Sequence, residues 1–184
     1  MARFRYEDRI PHPIETCYLA MRDHMAEFTP YLKGVKEIRV LEKREVGPGK
    51  TYIVNEWVSD YAPPALVARF ITPEMLRWLD IVTWDDAARS WHWRFESNAL
   101  KSALSAEGTN FMVAEDAGNT KFVIEGDLDI FVDRLPGVPA FVGRRVRPQV
   151  ERFILGLIEP RLRGIEHGLA AWLEAQAKGA QPHT

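Results

Sequence analysis

Cysteine is almost missing from this 184-residue chain, because Cys17 is its single representative. One thiol excludes an internal disulfide framework and a cysteine-rich zinc site. Long apolar runs are missing as well, and none approaches the roughly 18 residues of a membrane-spanning helix. The first residues alternate between charged and apolar types, unlike a secretory signal. We therefore expect a cytoplasmic protein without an integral membrane segment.

An excess of charge is also missing, since 24 Lys and Arg face 26 Asp and Glu, for a formal net charge of −2. This balance argues against a general nucleic-acid-binding surface. The five histidines are scattered, without the His-x-x-x-His spacing of a helical metal site. A metal site assembled from distant parts of the chain stays open, but we expect no metal and no cofactor.

The length fits one domain with a real core, so we treat residues 1–184 as a single domain. Its ordered core is expected over about 3–176, and the Gly- and Pro-containing tail 178–184 is expected to fray.

The longest helical pattern lies near the carboxyl terminus. Apolar residues recur at steps of three and four from Val146 to Leu173, which is typical of one broad stripe on a helix. Because Pro is tolerated in a first helical turn, we predict that the main helix begins near Pro148 and ends near Gln176, with a kink at Pro160. The rest of the chain must cover the apolar face of this helix.

The residues before this helix alternate as strands do. Alternation predicts a strand over 3–10, and helical spacing then predicts two short helices between Ile14 and Tyr31. Further strands are predicted over 35–46, 51–59, 66–71, 78–84, 91–97, 108–115 and 121–132. Gly47-Pro48-Gly49 predicts a hairpin turn, and the Pro-rich segment 61–74 interrupts the ladder because Pro cannot donate a backbone hydrogen bond. Strands grouped between terminal helices indicate an α+β fold with an antiparallel sheet on the long helix.

This order resembles the START-related helix-grip superfamily (SRPBCC), which includes birch-pollen allergen-type proteins, polyketide cyclases and lipid-transfer domains. The resemblance rests on the strand 3–10 leading through Pro13 into a helix pair, the glycine turn 47–49, the alternating hairpins and the closing amphipathic helix. It implies a curved antiparallel sheet that grips the C-terminal helix around an apolar cavity. Members bind lipids, sterols, polyketides or plant hormones there, and the fold does not decide which members are carriers and which are enzymes.

Large aromatic residues are dense on the predicted strands opposite the helix. Aromatic side chains accept flat apolar ligands, although plain core packing explains each of them equally well. With one polar anchor and two residues from the middle of the helical stripe, we predict a ligand pocket lined by Asn55, Trp57, Phe70, Trp78, Trp91, Trp93, Phe111, Phe122, Phe153 and Leu157.

Two positions in the strands bear on this pocket. In the strand 91–97, bulky aromatic residues alternate with His92, Arg94 and Glu96. We expect the aromatic residues to face the helix and the polar residues to form an exterior ladder; the reverse would place an acid–base cluster inside the pocket. Gly126 interrupts the apolar row of the last strand, which predicts a close approach by another element, here the long helix.

Three functions stay open at this point. The first is binding or transport of an apolar or aromatic small molecule, lipid or polyketide-like, without a cofactor. The second is a cofactor-independent cyclase, aromatase or dehydratase that uses one or two polar pocket groups for proton transfer. The third is a protein-interaction domain with a filled core and an exposed apolar patch. A homodimer is compatible with each of them, and no catalytic residue can be named from the pattern.

Overall fold

The computed structural model describes residues 2–60, 71–131 and 164–179, together with residues 62, 63, 65, 68, 134, 148 and 152. Two helices follow the first strand, six more strands come next, and a helix closes the described chain. In chain order the elements are β1 (Ala2–Ile10), α1 (Ile14–Asp23), a 3₁₀ helix (Met25–Tyr31), β2 (Val35–Gly47), β3 (Lys50–Ser59), a second 3₁₀ helix (Pro73–Leu76), β4 (Arg77–Asp85), β5 (Ser90–Glu96), β6 (Leu104–Asp116), β7 (Asn119–Ile130) and α2 (Ile165–Gly179).

The seven strands form one curved antiparallel sheet in the order β1-β7-β6-β5-β4-β3-β2. Strands β2 to β7 pair as successive neighbours, whereas β1 pairs with β7, so β1 and β2 lie at opposite edges. The two helices that connect β1 to β2 pack differently: α1 contacts β6 and β7, whereas the first 3₁₀ helix contacts β2 and α2. The predicted α+β helix-grip architecture is confirmed. No helix among the described residues is long and apolar enough to cross a membrane.

Alternation along β5 decides which side of the sheet is the interior. The aromatic residues of β5 are buried, while His92, Arg94 and Glu96 are exposed. The exterior ladder predicted for these three polar residues is confirmed. Successive side chains of a strand point to opposite faces, and residues paired across two strands share a face. The strand register therefore shows which residues of β4, β6 and β7 face the interior.

Stacked aromatic rings run across the inner face of the sheet. The ring centroids of Trp84 and Trp91 lie 4.2 Å apart, and those of Trp91 and Phe122 lie 5.5 Å apart. Tyr18 of α1 meets Trp84 edge-to-face at 5.4 Å. Offset and edge-to-face ring pairs add to the apolar area that these side chains bury. The aromatic-rich strands therefore hold α1 against the sheet.

Two glycines allow a third tryptophan to lie close to the sheet. Gly108 and Gly126 are directly opposite in β6 and β7. A Cβ built on Gly126 would lie 2.5 Å from the backbone oxygen of Glu107 and 3.0 Å from Cζ2 of Trp93. The close approach predicted at Gly126 is thus made by Trp93 and the backbone of β6, and the sequence-based choice of the long helix as its neighbour was wrong.

The predicted C-terminal helix is interrupted at Gly164. Gly164 has φ +115°, a backbone conformation that favours glycine and ends a helix, and α2 begins at the next residue. The structure therefore does not contain the single continuous helix predicted from Pro148 to Gln176, although Pro148 and Arg152 themselves are helical. The predicted kink at Pro160 lies outside the described residues. At its other end α2 reaches Gly179, so residues 178 and 179 are helical rather than part of a frayed tail.

The buried face of α2 packs on the first 3₁₀ helix and its C-terminal end. Trp172 stacks on His24 at a centroid distance of 5.2 Å and contacts Phe28 at 5.3 Å. A Cβ on Gly168 would lie 2.5 Å from Cδ2 of Leu32, so this glycine allows the helix to approach closely. These contacts fix where the amino-terminal end of α2 lies relative to the sheet.

The strand predicted over 66–71 lies mostly outside the described residues. Ala68 and Ile71, which the structure does describe, are not in a strand. The backbone N–H of Ile71 donates to the carbonyl oxygen of Ala68 at 3.2 Å, a local hydrogen bond of a turn that a strand does not make.

Candidate functional site

A cleft of about 410 Å³ opens between the β1 edge of the sheet and the amino-terminal end of α2. Its lining residues come from three elements: Tyr6, Glu7 and Asp8 from β1, Phe122 and Ile124 from β7, and Gly164, Glu166 and His167 from the start of α2. The strand register places Tyr6 opposite Ile124 and Asp8 opposite Phe122. The cleft therefore has a sheet wall and a helix-terminus wall.

The sheet wall is apolar at its base. Phe122 and Ile124 are 1% and 3% exposed, and Phe122 stacks on Trp91 at 5.5 Å. The base of the cleft is thus continuous with the aromatic core. A flat apolar group that enters here can pack against Phe122 and Ile124, which are already held rigid by that core.

The helix wall is polar because a buried carboxylate lies in the first turn of α2. Glu166 is 5% exposed, and its two carboxylate oxygens accept hydrogen bonds from the backbone N–H of Gly164 at 3.0 and 3.1 Å. A negative group is favourable at this end of a helix because the unpaired N–H groups carry a partial positive charge. The helix terminus therefore both satisfies Glu166 and fixes its position.

Three ionisable groups meet at the open side of the cleft. Nδ1 of His167 lies 2.6 Å from Oε1 of Glu166, and the ligating atoms of Asp8, Glu166 and His167 all lie within 4.8 Å of one another. Asp8 and His167 are exposed, whereas Glu166 is buried. These groups can accept hydrogen bonds from a ligand or exchange protons with it. They are also near enough to share a cation, although the oxygens of Glu166 are already used by Gly164.

Most of the ligand residues predicted from the sequence lie elsewhere on the inner face. Asn55 and the tryptophans at 57, 78, 91 and 93 are buried, each at most 3% exposed. Of the predicted residues, Phe122 lines the cleft. Phe70, Phe153 and Leu157 lie outside the described residues. The sequence thus located the aromatic interior, and the cleft lies at one edge of it.

Phe111 was predicted to line the pocket, and the structure places it on the convex face instead. Its neighbours Asn110 and Met112 are buried on the inner face, so alternation turns Phe111 outwards. The guanidinium of Arg5 covers its ring at 5.6 Å from the centroid. An aromatic side chain can lie on an outer face where a cation covers it, here from β1 across the intervening β7.

The buried polar groups of the described interior differ in whether they have a hydrogen-bond partner. Nε1 of Trp93 donates to Oδ1 of Asn110 at 2.7 Å. In the part of the chain that the structure describes, however, Nε1 of Trp57, Nε1 of Trp84 and Oγ of Ser97 have no partner. Buried polar groups are nearly always paired, so these three groups are exceptions within the described interior.

The single cysteine does not supply a nucleophile. Burial raises the pKa of the Cys17 thiol to about 11, and Sγ lies 3.5 Å from the carbonyl oxygen of His12. A reactive thiol needs a lowered pKa and access to solvent. Cys17, which is 0% exposed, is therefore a structural residue.

The sequence analysis missed seven of the eight lining residues, among them the polar Asp8, Glu166 and His167. Asp8 shares the inward parity of Tyr6 and Ile10, so the alternation of β1 contained a signal for it. Glu166 and His167 gave no such signal, because the helical stripe continues on both sides of Gly164 and hides the helix terminus. A glycine two residues before a glutamate was the available hint.

Comparisons with known proteins agree with this architecture. No protein-family model matches the chain, and no curated protein matches it significantly in sequence. Several solved structures are similar in fold. The protein TTHA0849 from Thermus thermophilus is 24% identical, with a TM-score of 0.61 over 93% of this chain and 99% of that one.

Two further structures carry the names of enzymes. The Zhui aromatase/cyclase from Streptomyces sp. R1128 is 16% identical, with a TM-score of 0.66 over 95% of this chain and 97% of that one. Norcoclaurine synthase from Thalictrum flavum is 8% identical, with a TM-score of 0.56 over 94% of this chain and 86% of that one. At these identities the similarity establishes the fold alone. The chain therefore has a helix-grip fold.

Proposed function

We propose that this chain binds an apolar or aromatic small molecule in the cleft between the β1 edge of the sheet and the start of α2. The observation that carries the proposal is the division of the cleft into an apolar base, Phe122 and Ile124, and a polar rim, Asp8, Glu166 and His167. Small-molecule sites typically combine an apolar lining with a few polar groups that fix orientation. The volume of about 410 Å³ is within the usual range for such sites.

The polar rim restricts the chemistry of the ligand. Its acceptors are the carboxylates of Asp8 and Glu166. A ligand that presents hydroxyl or amine donors to this rim and an aromatic or aliphatic body to Phe122 would satisfy both ends. An anionic head group would meet like charge and is disfavoured. We therefore propose a neutral or cationic ligand with donor groups at one end.

The second candidate function is a cofactor-independent cyclase, aromatase or dehydratase. The observation that favours it is the hydrogen-bonded pair of His167 and Glu166 beside the cleft. In this proposal His167 transfers the proton and exchanges it with solvent, while Glu166, fixed by Gly164, orients the imidazole. Two proteins with the same fold are named as enzymes, an aromatase/cyclase and norcoclaurine synthase. The enzyme proposal extends that kind of activity to this chain.

A binding experiment tests the first proposal. A hydrophobic fluorescent probe and a fatty amine are titrated into the protein while tryptophan emission is followed. His167→Trp, at an exposed position on the rim, should obstruct the cleft and weaken binding about tenfold or more. His92→Trp, the same change at an exposed position on the convex face, is the matched control and should bind as the wild type does. Binding that neither variant alters contradicts the assigned cleft, and no binding by any apolar probe favours an interaction domain.

The enzyme alternative needs a different readout. A bound polyketone ligand is recovered after incubation and weighed by mass spectrometry. A carrier returns it unchanged, whereas a cyclase or dehydratase returns a product lighter by one or more waters. His167→Ala should then stop conversion while binding persists, because the imidazole is proposed to act on the proton and not to hold the ligand.

A further inference from the structure

Strand β2 forms an edge of the sheet with a long exposed centre. Within the described residues it pairs with β3 alone, so its other side presents unpaired backbone groups. Val40 and Leu41, at the middle of the strand, are 49% and 56% exposed. An edge of this kind is a template for pairing with another strand.

The register of β2 against β3 slips by one residue at three places. The slips fall between Val35 and Glu37, between Val40 and Glu42, and between Glu45 and Gly47. Each is a β-bulge that inserts one extra residue and reverses the alternation of faces beyond it. The extra residues are Lys36, Leu41 and Val46, so two bulges lie at equal distances on either side of the central one.

The central bulge places four charged residues on the same face. Glu37 and Arg39 precede it, and Glu42 and Arg44 follow it. Arg39 binds Glu56 with Nη2 to Oε2 at 2.5 Å, and the guanidinium of Arg44 lies 4.5 Å from the ring centroid of Tyr52. Glu56 and Tyr52 are of outward parity on β3, opposite to that of Asn55. All four charges therefore project from the convex face, in the order acid, base, bulge, acid, base.

This order is complementary to itself in the antiparallel direction. If a second copy of the strand is rotated by two-fold symmetry about Val40–Leu41, Glu37 lies opposite Arg44 of the second copy, and Arg39 lies opposite Glu42. By symmetry four opposite-charge pairs form. Opposite charges directly across an antiparallel pair are favourable, and like charges there are unfavourable.

We propose that the chain forms a homodimer through antiparallel pairing of β2 with β2, with the two-fold axis at Val40–Leu41. The pairing extends the sheet across the axis, and it removes the two most exposed apolar side chains of the strand from water. Bulges and charges also serve to protect edges from pairing. To protect the edge from pairing, the charges could stand in any order. The acid–base order on either side of the central bulge is instead complementary to a second copy of the same strand.

Charge reversal tests the proposal by sedimentation velocity. Glu42→Arg brings two arginine side chains face to face, the new one and Arg39 of the other copy, twice per dimer, and should raise the dimer dissociation constant about tenfold or more. The double variant Arg39→Glu with Glu42→Arg restores opposite charges and should return the constant to near the wild-type value. Glu96→Arg is the matched control, because Glu96 pairs with Arg94 on the exposed face of β5 as Glu42 pairs with Arg44 on β2. It should leave dimerisation unchanged.

Raising the ionic strength should weaken the dimer, because the pairs are exposed to solvent. If Glu42→Arg does not fold, as judged by circular dichroism, Leu41→Lys places two like charges at the axis and tests the same contact. A wild-type chain that stays monomeric up to about 200 µM, or a dimer that neither charge reversal nor Leu41→Lys weakens, would overturn the proposal.

Discussion

Gly126→Val is predicted to be strongly destabilising. The first added atom, Cβ, would lie 2.5 Å from the backbone oxygen of Glu107 and 3.0 Å from Cζ2 of Trp93. The oxygen belongs to the paired strand and cannot rotate away, so β6 and β7 must separate locally or Trp93 must move from its hydrogen bond to Asn110. Overpacking of this kind costs about 1–3 kcal/mol, and a backbone neighbour favours the upper end.

The expected change is large enough to measure by thermal unfolding. A loss of about 3 kcal/mol in a domain of this length lowers the melting temperature by roughly 6–12 °C. Gly118→Val is the matched control, because a Cβ at Gly118 in the β6–β7 turn would meet Oδ1 of Asp116 at 3.8 Å and nothing nearer. An unchanged melting temperature for Gly126→Val, or an equal loss in both variants, would refute the account of the two glycines beneath Trp93.

Two further predictions concern α1 and the start of α2. The pKa of Asp23 is lowered to about 2, chiefly by the hydrogen bond from Arg22 and then by that from Lys43. The ionised carboxylate therefore stabilises the fold at any pH above 3.8, the pKa of Asp in the unfolded chain. This contribution is lost as the pH falls through about 2. Asp23→Asn should therefore lower the urea midpoint at pH 7, and the difference from wild type should disappear between about pH 4 and pH 2; a difference that persists at pH 2 contradicts the assignment. Gly164→Ala should cost about 1–3 kcal/mol in urea unfolding because of φ +115°, and it should also weaken probe binding by displacing Glu166; full stability would show that alanine tolerates this position.

The sequence predicted the interior well where alternation is strong. In β5, aromatic and charged or polar residues alternate from Trp91 to Glu96, so the buried face follows directly from the pattern. The glycine turn 47–49 and the C-terminal stripe around Leu169 and Trp172 likewise depend on local signals, and the structure confirms the turn and the burial of both residues.

The candidate cleft could not be predicted because it depends on contacts between distant parts of the chain. Asp8 meets Glu166 only after β1 has paired with β7 and α2 has begun at Ile165, and no local pattern reports either event. The prediction that Phe111 lines the pocket failed for a similar reason. Its ring lies on the outer face, where it is covered by Arg5 from a strand that is distant in the chain. Aromatic content indicates apolar surface, but the pairing partner decides which face it covers.

Native mass spectrometry with a fatty amine tests the central claim most directly. The proposed cleft predicts one bound ligand per chain in the wild type and in His92→Trp, and strongly reduced occupancy in His167→Trp. Equal occupancy in all three proteins would place the ligand away from Phe122 and the rim formed by Asp8, Glu166 and His167. No bound ligand in the wild type, at concentrations that saturate a micromolar site, would contradict the binding function itself.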